Sequence, residues 1–505
     1  MSARHSIESL LAQARGDGVA LLAPHAEPLT FAGIRGLAGE TIASLNKVGI
    51  GRNDRIAIVL PNGPEMAAAF ISIASGATAA PLNPAYQTGE FEFYMRDLGA
   101  KALVVENGSG AAAIDAAKKL GIAVLTLTPD PKRGAGSFTL SGEKGGKAAR
   151  PGPAAATDIA LILHTSGTTS RPKIVPLSQN NVVTSTDNVA RSLEFTESDR
   201  GMNIMPLFHI HGLVAGLLAP LSRGGLVYCT PGFNALKFFA WMEDSEPTWY
   251  TAVPTMHQAI LARAGHNKGI IARHKLRFVR SSSSALPPQI IAELEAAFHA
   301  PVIEAYGMTE ASHQMASNPL HGVRKPGTVG FAAGPEVAIM DKAGNFLGAE
   351  QTGEIVIRGD NITAGYENNP KANAESFVDG WFRTGDQGVK DAGGYIRLTG
   401  RLKEIINRGG EKIAPREVDE ALMDHPAVLQ AVTFAVPHAK LGEDVAAAVV
   451  LREGATTTEL ELRSFLSQRL AAFKTPRKIL FLSEIPKGAT GKLQRIGLAE
   501  KLGLV

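Results

Sequence analysis

Short apolar runs of strand length alternate with helical stretches through the first part of this chain. That rhythm narrows the fold more than any other feature. Arg55–Leu60 and Ala102–Val105 read as buried strands, and Glu65–Ser75 between them reads as a helix. Such alternation predicts an α/β fold with largely parallel sheets, because parallel neighbours need a crossover, most often a helix. The pattern runs from Met1 to about Ala149 and resumes up to about residue 318. Residues 130–157, rich in Gly, Ser, Lys, Pro and Ala, predict an exposed connection. From Gly327 to Leu398 the texture changes: Val337–Met340, Gly353–Arg358 and Gly394–Leu398 recur with turns between them, as in a small antiparallel or barrel-like subdomain. After Gly400-Arg401-Leu402-Lys403 a compact α+β segment runs to the end, with a helix signalled by Pro415 and Glu417-Val418-Asp419-Glu420. The expected architecture is therefore a large N-terminal domain, 1–400, of α/β subdomains plus a small β-barrel-like subdomain, and a small α+β C-terminal domain, 401–505.

A length of 505 residues exceeds what one hydrophobic core usually serves, in keeping with more than one domain. The net charge of +3 is small for this size and gives no case for a nucleic-acid partner. The single cysteine, Cys229, rules out an intrachain disulfide framework and fits a reducing compartment. Charges at Arg4, Glu8 and Arg15 interrupt any secretory apolar segment. No run of about 20 apolar residues predicts a membrane span. A cytoplasmic protein is expected.

The chemistry begins at residues 159–173. An apolar run, Ile159–Leu163, leads into Thr165-Ser166-Gly167-Thr168-Thr169-Ser170, then Arg171-Pro172-Lys173. A strand feeding a loop of small hydroxylated residues, closed by cations, is one way to hold a polyphosphate. Gly167 lets the backbone bend, hydroxyls and amides donate, and Lys173 supplies a mobile positive charge. The pattern G-x-x-x-x-G-K-[ST] is absent from the chain. Taken alone, the segment also reads as a Ser/Thr-rich surface linker.

Five further stretches follow in order: Phe208-His209-Ile210-His211-Gly212, Tyr306-Gly307-Met308-Thr309-Glu310, Trp381-Phe382-Arg383-Thr384-Gly385-Asp386, Gly400-Arg401-Leu402-Lys403-Glu404 and Pro486-Lys487-Gly488-Ala489-Thr490-Gly491-Lys492. With these six motifs the chain resembles, over essentially its full length, the adenylate-forming superfamily of acyl-CoA synthetases, luciferases and adenylation domains. Leu207–Leu213, Trp249–Thr255 and Glu304–Gln314 look like its oxalate–CoA ligase branch, related to the 4-coumarate–CoA ligases.

The resemblance implies two half-reactions. A carboxylate attacks the α-phosphate of ATP and expels pyrophosphate, and coenzyme A thiol then attacks the acyl carbon and expels AMP. It implies ATP, Mg2+ and coenzyme A as cofactor and co-substrates, a small carboxylic acid as substrate, and a monomer or homodimer. Thr165, Ser166, Gly167, Thr168, Thr169 and Lys173 would embrace the β- and γ-phosphates. Glu310 would carry Mg2+, with Thr309 donating to the α-phosphate. Tyr306 would stack on adenine, Asp386 and Arg401 would bind the ribose, and Ser284 would belong to the nucleotide site. Lys492 would bridge the attacking carboxylate and the α-phosphate, where an ammonium offsets developing charge. In the family the small domain is mobile and rotates between half-reactions. Lys403 falls at the hinge, and Arg408-Gly409-Gly410 would swing in to line the pantetheine tunnel.

His209, His211 and His313 fall in or beside segments that line the acyl pocket in relatives, and Ser281-Ser282-Ser283-Ser284 replaces the usual Gly/Ala-rich strand end. With Ser283 and its neighbours, three imidazoles suit a compact, very polar acid. Oxalate is the favoured substrate, its dianion drawing the imidazoles into their cationic form. Alternatives are a medium-chain fatty acid or 4-coumarate-type ligase, a malonyl-CoA synthetase, and an enzyme that loads a carrier-protein thiol. Malonyl-CoA synthetases tend to carry arginine just before Tyr-Gly-Met-Thr-Glu, where this chain has Ala305. A decayed, non-catalytic nucleotide sensor should have lost Lys492, Glu310 or Asp386, and all three are present.

Overall fold

The computed structural model describes residues 5–143, 145–165, 172–488 and 491–505. The alternation seen in the sequence becomes two large sheets. In one, seven strands run in the order Phe138–Ser141, Ala123–Pro129, Ala102–Glu106, Arg55–Val59, Thr78–Pro81, Ile159–Thr165 and Lys173–Ser178. The inner pairs are parallel and the two edge pairs antiparallel. Helices such as Pro64–Ala74, buried along most of their length, supply the crossovers. The stretch 130–157 departs from the expected exposed connection. Phe138 buries its ring and its strand closes the sheet edge against Ala123–Pro129.

The second sheet has nine strands, and its centre is parallel. Arg200–Asn203, Trp249–Ala252, Phe278–Ser281 and Val302–Met308 lie side by side with their carboxyl ends together, the edge where α/β sheets form ligand crevices. The chain then doubles back: His313–Ser317 pairs antiparallel with Val302–Met308, so that Met308 faces His313 in the register. Gly307 permits that return, because a Cβ there would lie 1.8 Å from the His313 carbonyl oxygen.

Between 336 and 401 a five-stranded, wholly antiparallel sheet forms. Its last strand, Ile396–Arg401, pairs Arg401 with Asp386. The final sheet starts at Ile406–Arg408 and includes the long hairpin Val428–His438/Gly442–Leu451, with the helix Pro415–Met423 packed on it. No helix among the described residues is long and apolar enough to cross a membrane.

Candidate active site

Three sequence-distant residues meet where the antiparallel sheet approaches Val302–Met308. The Tyr306 hydroxyl donates to Asp386 Oδ2 at 2.5 Å, and Arg401 Nε lies 3.3 Å from Asp386 Oδ1. Tyr306 and Asp386 are both buried. Burial pushes the Asp386 carboxyl up, while Arg401 and the Tyr306 hydroxyl pull it back toward the charged form. A carboxylate held by two donors keeps lone pairs for a diol, and the ring of Tyr306 lies alongside.

Thr165 ends the strand Ile159–Thr165, and its partner across the hairpin is Lys173. Ser166, Gly167, Thr168, Thr169, Ser170 and Arg171, which complete the expected phosphate loop, lie outside the described residues. Lys173 holds its ammonium 4.1 Å from the ring centroid of Tyr366. The Tyr366 hydroxyl donates at 2.8 Å to Oε1 of Glu310, a buried carboxylate in the short turn Thr309–Ala311. Burial raises the Glu310 carboxyl; Tyr366, then Lys173 and Arg401, oppose it. Thr309 beside it is half-buried. Among the described residues no group of three or more His, Cys, Asp or Glu could hold a metal alone. A single buried carboxylate with Lys173 nearby is a donor set that Mg2+ would fit, since that ion needs only one or two protein carboxylates where phosphate and water can supply the rest.

Deeper along the same strand ends lies a polar cluster with a member that sequence reasoning missed. Arg280, in the strand Phe278–Ser281, is wholly buried. Its Nη1 is 3.2 Å from His211 Nε2, and its Nη2 is 3.0 Å from His313 Nε2 and 3.3 Å from Gln314 Oε1. The two imidazoles stack at 5.0 Å between centroids. His211 also meets Thr251 Oγ1 at 2.7 Å and Ser283 Oγ at 3.0 Å, and its backbone N–H donates to His209 Nδ1 at 3.3 Å. Among the described residues no carboxylate pairs with Arg280, and its Nε has no partner. The signal was present in the sequence. An arginine between Val279 and Ser281 in a strand covered on both faces is out of keeping with the apolar run such strands favour.

Arg280 also reverses the expectation of imidazolium. Burial pushes His209 down to about 3 and holds His211 and His313 well below their ordinary value, with the Arg280 charge adding to it at the last two. The cluster's positive charge is the guanidinium, itself lowered by burial to about 9 and still cationic at neutral pH. The imidazoles are neutral hydrogen-bonding partners. Of the four serines, Ser281 and Ser282 are buried, Ser283 is strained at φ +74° with its hydroxyl on His211, and Ser284 is exposed.

Lys492 reaches this centre from the other end of the chain. Its ammonium is pushed down to about 8 by burial, with Arg401 adding and Asp386 opposing, and its charge is felt by all three histidines. Gly491 before it has φ +79°, and its carbonyl accepts from Thr255 Oγ1 at 2.7 Å. The helix Pro254–Ala264 makes a second contact with the C-terminal sheet, Gln258 donating to the Leu429 carbonyl and accepting from Gln430. Gly409 and Gly410, at φ +60° and +101°, turn the exposed hairpin between Ile406–Arg408 and Glu411–Ile413, as a two-residue turn of positive φ requires. Arg408 is tied to Asp444 at 2.7 Å. Lys403 is exposed, between the last strand of one sheet and the first of the next. In this pose Lys492 is at the site and the Gly409–Gly410 turn is at the surface.

A buried tyrosine–aspartate–arginine set, a second buried carboxylate and a buried cation thus gather near the strand ends of Phe278–Ser281 and Val302–Met308. Residues 11–367 match the family model of the AMP-binding enzymes, and residues 417–492 match that of the AMP-binding enzyme C-terminal domain. The chain belongs to this family, and it is an AMP-forming acid–CoA ligase: it makes an acyl-adenylate from ATP and a carboxylic acid, then a coenzyme A thioester. It is 46% identical to an oxalate–CoA ligase of Arabidopsis thaliana, over 92% of each chain. It is 43% identical to an oxalate–CoA ligase of Saccharomyces cerevisiae, covering 89% of this chain and 87% of that one. Among solved structures it resembles ATP-bound MatB from Rhodopseudomonas palustris, with a TM-score of 0.89, 29% identity and 99% of each chain covered.

Proposed function

We propose that the acid is oxalate and that the residues above divide the work as follows. The observation that carries the reading is Arg280, a wholly buried cation with no acidic partner among the described residues. An uncompensated buried charge is costly, and a ligand carboxylate within reach offsets that cost. A dicarboxylate as short as oxalate can set one carboxylate toward Arg280 and present the other to the α-phosphate. Thr251 and Ser283 add hydroxyls, and His211 and His313, neutral, fix the guanidinium plane. His209, whose Nδ1 accepts the His211 N–H, feels the Lys492 charge. A fatty or aromatic acid would leave Arg280 unpaired. The likeness to oxalate–CoA ligases supports the same acid.

Tyr306, Asp386 and Arg401 hold adenosine. Thr165, the loop 166–169 and Lys173 hold the β- and γ-phosphates, with Thr309 on the α-phosphate and Ser284 at the nucleotide. Glu310 holds Mg2+, which supplies Lewis-acid neutralisation of the phosphate oxygens. Lys492 orients the attacking carboxylate and offsets charge gathering on the α-phosphate as pyrophosphate leaves. Rotation at Lys403 then withdraws Lys492 and brings Arg408, Gly409 and Gly410 to the pantetheine arm, whose thiol attacks the acyl carbon and releases AMP. The test is pyrophosphate release with oxalate, malonate, acetate, 4-coumarate and hexanoate, with and without coenzyme A. Oxalate should give the highest kcat/KM and a thioester product with free coenzyme A. Preference for hexanoate or 4-coumarate would overturn the assignment.

A further inference from the structure

Tyr366 lies in Thr363-Ala364-Gly365-Tyr366-Glu367, a stretch outside the six motifs, yet it touches two residues of the ATP site at once. Its hydroxyl donates to Glu310 Oε1 at 2.8 Å, and its ring carries the Lys173 ammonium at 4.1 Å from the centroid. Lys173 and Glu310 feel each other's charge but make no direct ion pair among the described residues. The tyrosine engages each of them separately.

The backbone around it is stitched to both. Thr363 donates its N–H to the Glu310 carbonyl at 2.8 Å and its hydroxyl to the Pro176 carbonyl at 2.7 Å. The Glu367 N–H reaches the Ile174 carbonyl at 3.1 Å, and its carboxylate pairs with Arg55 at 2.7 Å. Asn373 accepts from the Tyr366 N–H and donates to its carbonyl. Gly365 makes room for this: at φ +144° a Cβ would meet the Asn373 side chain at 3.0 Å. Three chain segments, 173–178, 309–311 and 363–367, are thereby locked into one piece.

We propose that Tyr366 is a positioning residue for adenylate formation. It holds the Glu310 carboxylate and the Lys173 ammonium apart at a fixed separation, so that metal and polyphosphate meet preset charges that have not cancelled one another. Tyrosine supplies both contacts at once: the ring attracts the cation, and the hydroxyl donates to the carboxylate. Phenylalanine retains the first, and leucine neither. The inference rests on the reading of Glu310 as the Mg2+ ligand.

The experiment is calorimetric titration of ATP into the full-length wild type, Tyr366→Phe and Tyr366→Leu, in EDTA and across a Mg2+ series, with Tm recorded for each. In EDTA, Tyr366→Phe should bind ATP as wild type does, and Tyr366→Leu about threefold or more weakly, the scale of a lost cation–π contact. Across the Mg2+ series both variants should need about tenfold more Mg2+ for half the gain in affinity, as for loss of an outer partner of a metal ligand. A wild-type affinity that responds to Mg2+, with Tyr366→Phe responding identically, overturns the role of Tyr366 alone. Equal losses in EDTA and Mg2+ together with a fall in Tm would mark a merely structural residue and overturn it as well. A wild type indifferent to Mg2+ would overturn the reading of Glu310 and this inference with it.

Discussion

Around Tyr306 and Glu310 the buried acids have cations close by: Asp386 faces Arg401, and Glu310 has Tyr366 for a donor with Lys173 beyond the ring. Around Arg280 there is no such partner among the described residues, only neutral imidazoles, hydroxyls and an amide. On the proposed assignment of the two clusters, the nucleotide half is nearly balanced among the described residues, whereas the acyl half carries an unanswered positive charge. A balanced site recognises shape and hydrogen-bond pattern. An unbalanced one recognises charge, and it selects a second carboxylate over a tail.

The contrast can be broken most sharply at Lys492, which in the proposed division of work serves both halves. Lys492→Ala should slow adenylate formation about 10²-fold or more, the scale of losing one preorganised charge donor. Thioester formation from supplied acyl-adenylate should be spared. Equal losses in both half-reactions would contradict the rotation. His313→Ala removes a partner that fixes Arg280, and should cost about 1.5–3 kcal/mol, the range for a hydrogen bond to a charged group, in kcat/KM for oxalate. Its effect on hexanoate should be much smaller.

The pH profile sharpens the comparison differently. The Lys492 ammonium, the form the proposed mechanism needs, is pushed down to about 8 by burial, so it is present below that pH and lost above it. The kcat/KM for adenylate formation should therefore fall as pH rises through about 8, close to tenfold per unit above it. A limb near 6.5 would instead restore charged imidazoles to the acyl half and undo the distinction. Smallest is Thr255→Val. Losing its bond to the Gly491 carbonyl should cost adenylate formation about 1 kcal/mol, roughly fivefold, and leave the second half-reaction unchanged.

Much of this was legible from residues alone. The apolar runs at 55, 102 and 159 fold as the strands Arg55–Val59, Ala102–Glu106 and Ile159–Thr165, and Pro415 does open a helix, Pro415–Met423. These are local signals, period and capping; the nucleotide residues were named only through the family resemblance of the motifs. Three things were not legible: the surroundings of Arg280, whose oddity alone the sequence showed, the histidines' charge state, and the contacts of Tyr366. Arg280 owes its meaning to neighbours 69 and 33 positions away in sequence, which the start of the helix His211–Leu218 and the strand His313–Ser317 bring to it. The histidines' charge state follows from burial next to that cation, which no spacing encodes. Tyr366 escaped for the same reason, since its two partners lie on separate segments.

The central claim is that Arg280 makes the acyl half selective for a second carboxylate. It is tested by kcat/KM for oxalate and for hexanoate in the wild type and Arg280→Met, with Tm as the control for folding. The oxalate-to-hexanoate ratio should fall at least about 30-fold, the low end for removing one partner of a buried, hydrogen-bonded charge pair, with hexanoate unchanged or improved. A variant that folds as wild type does and keeps the wild-type ratio would contradict the account.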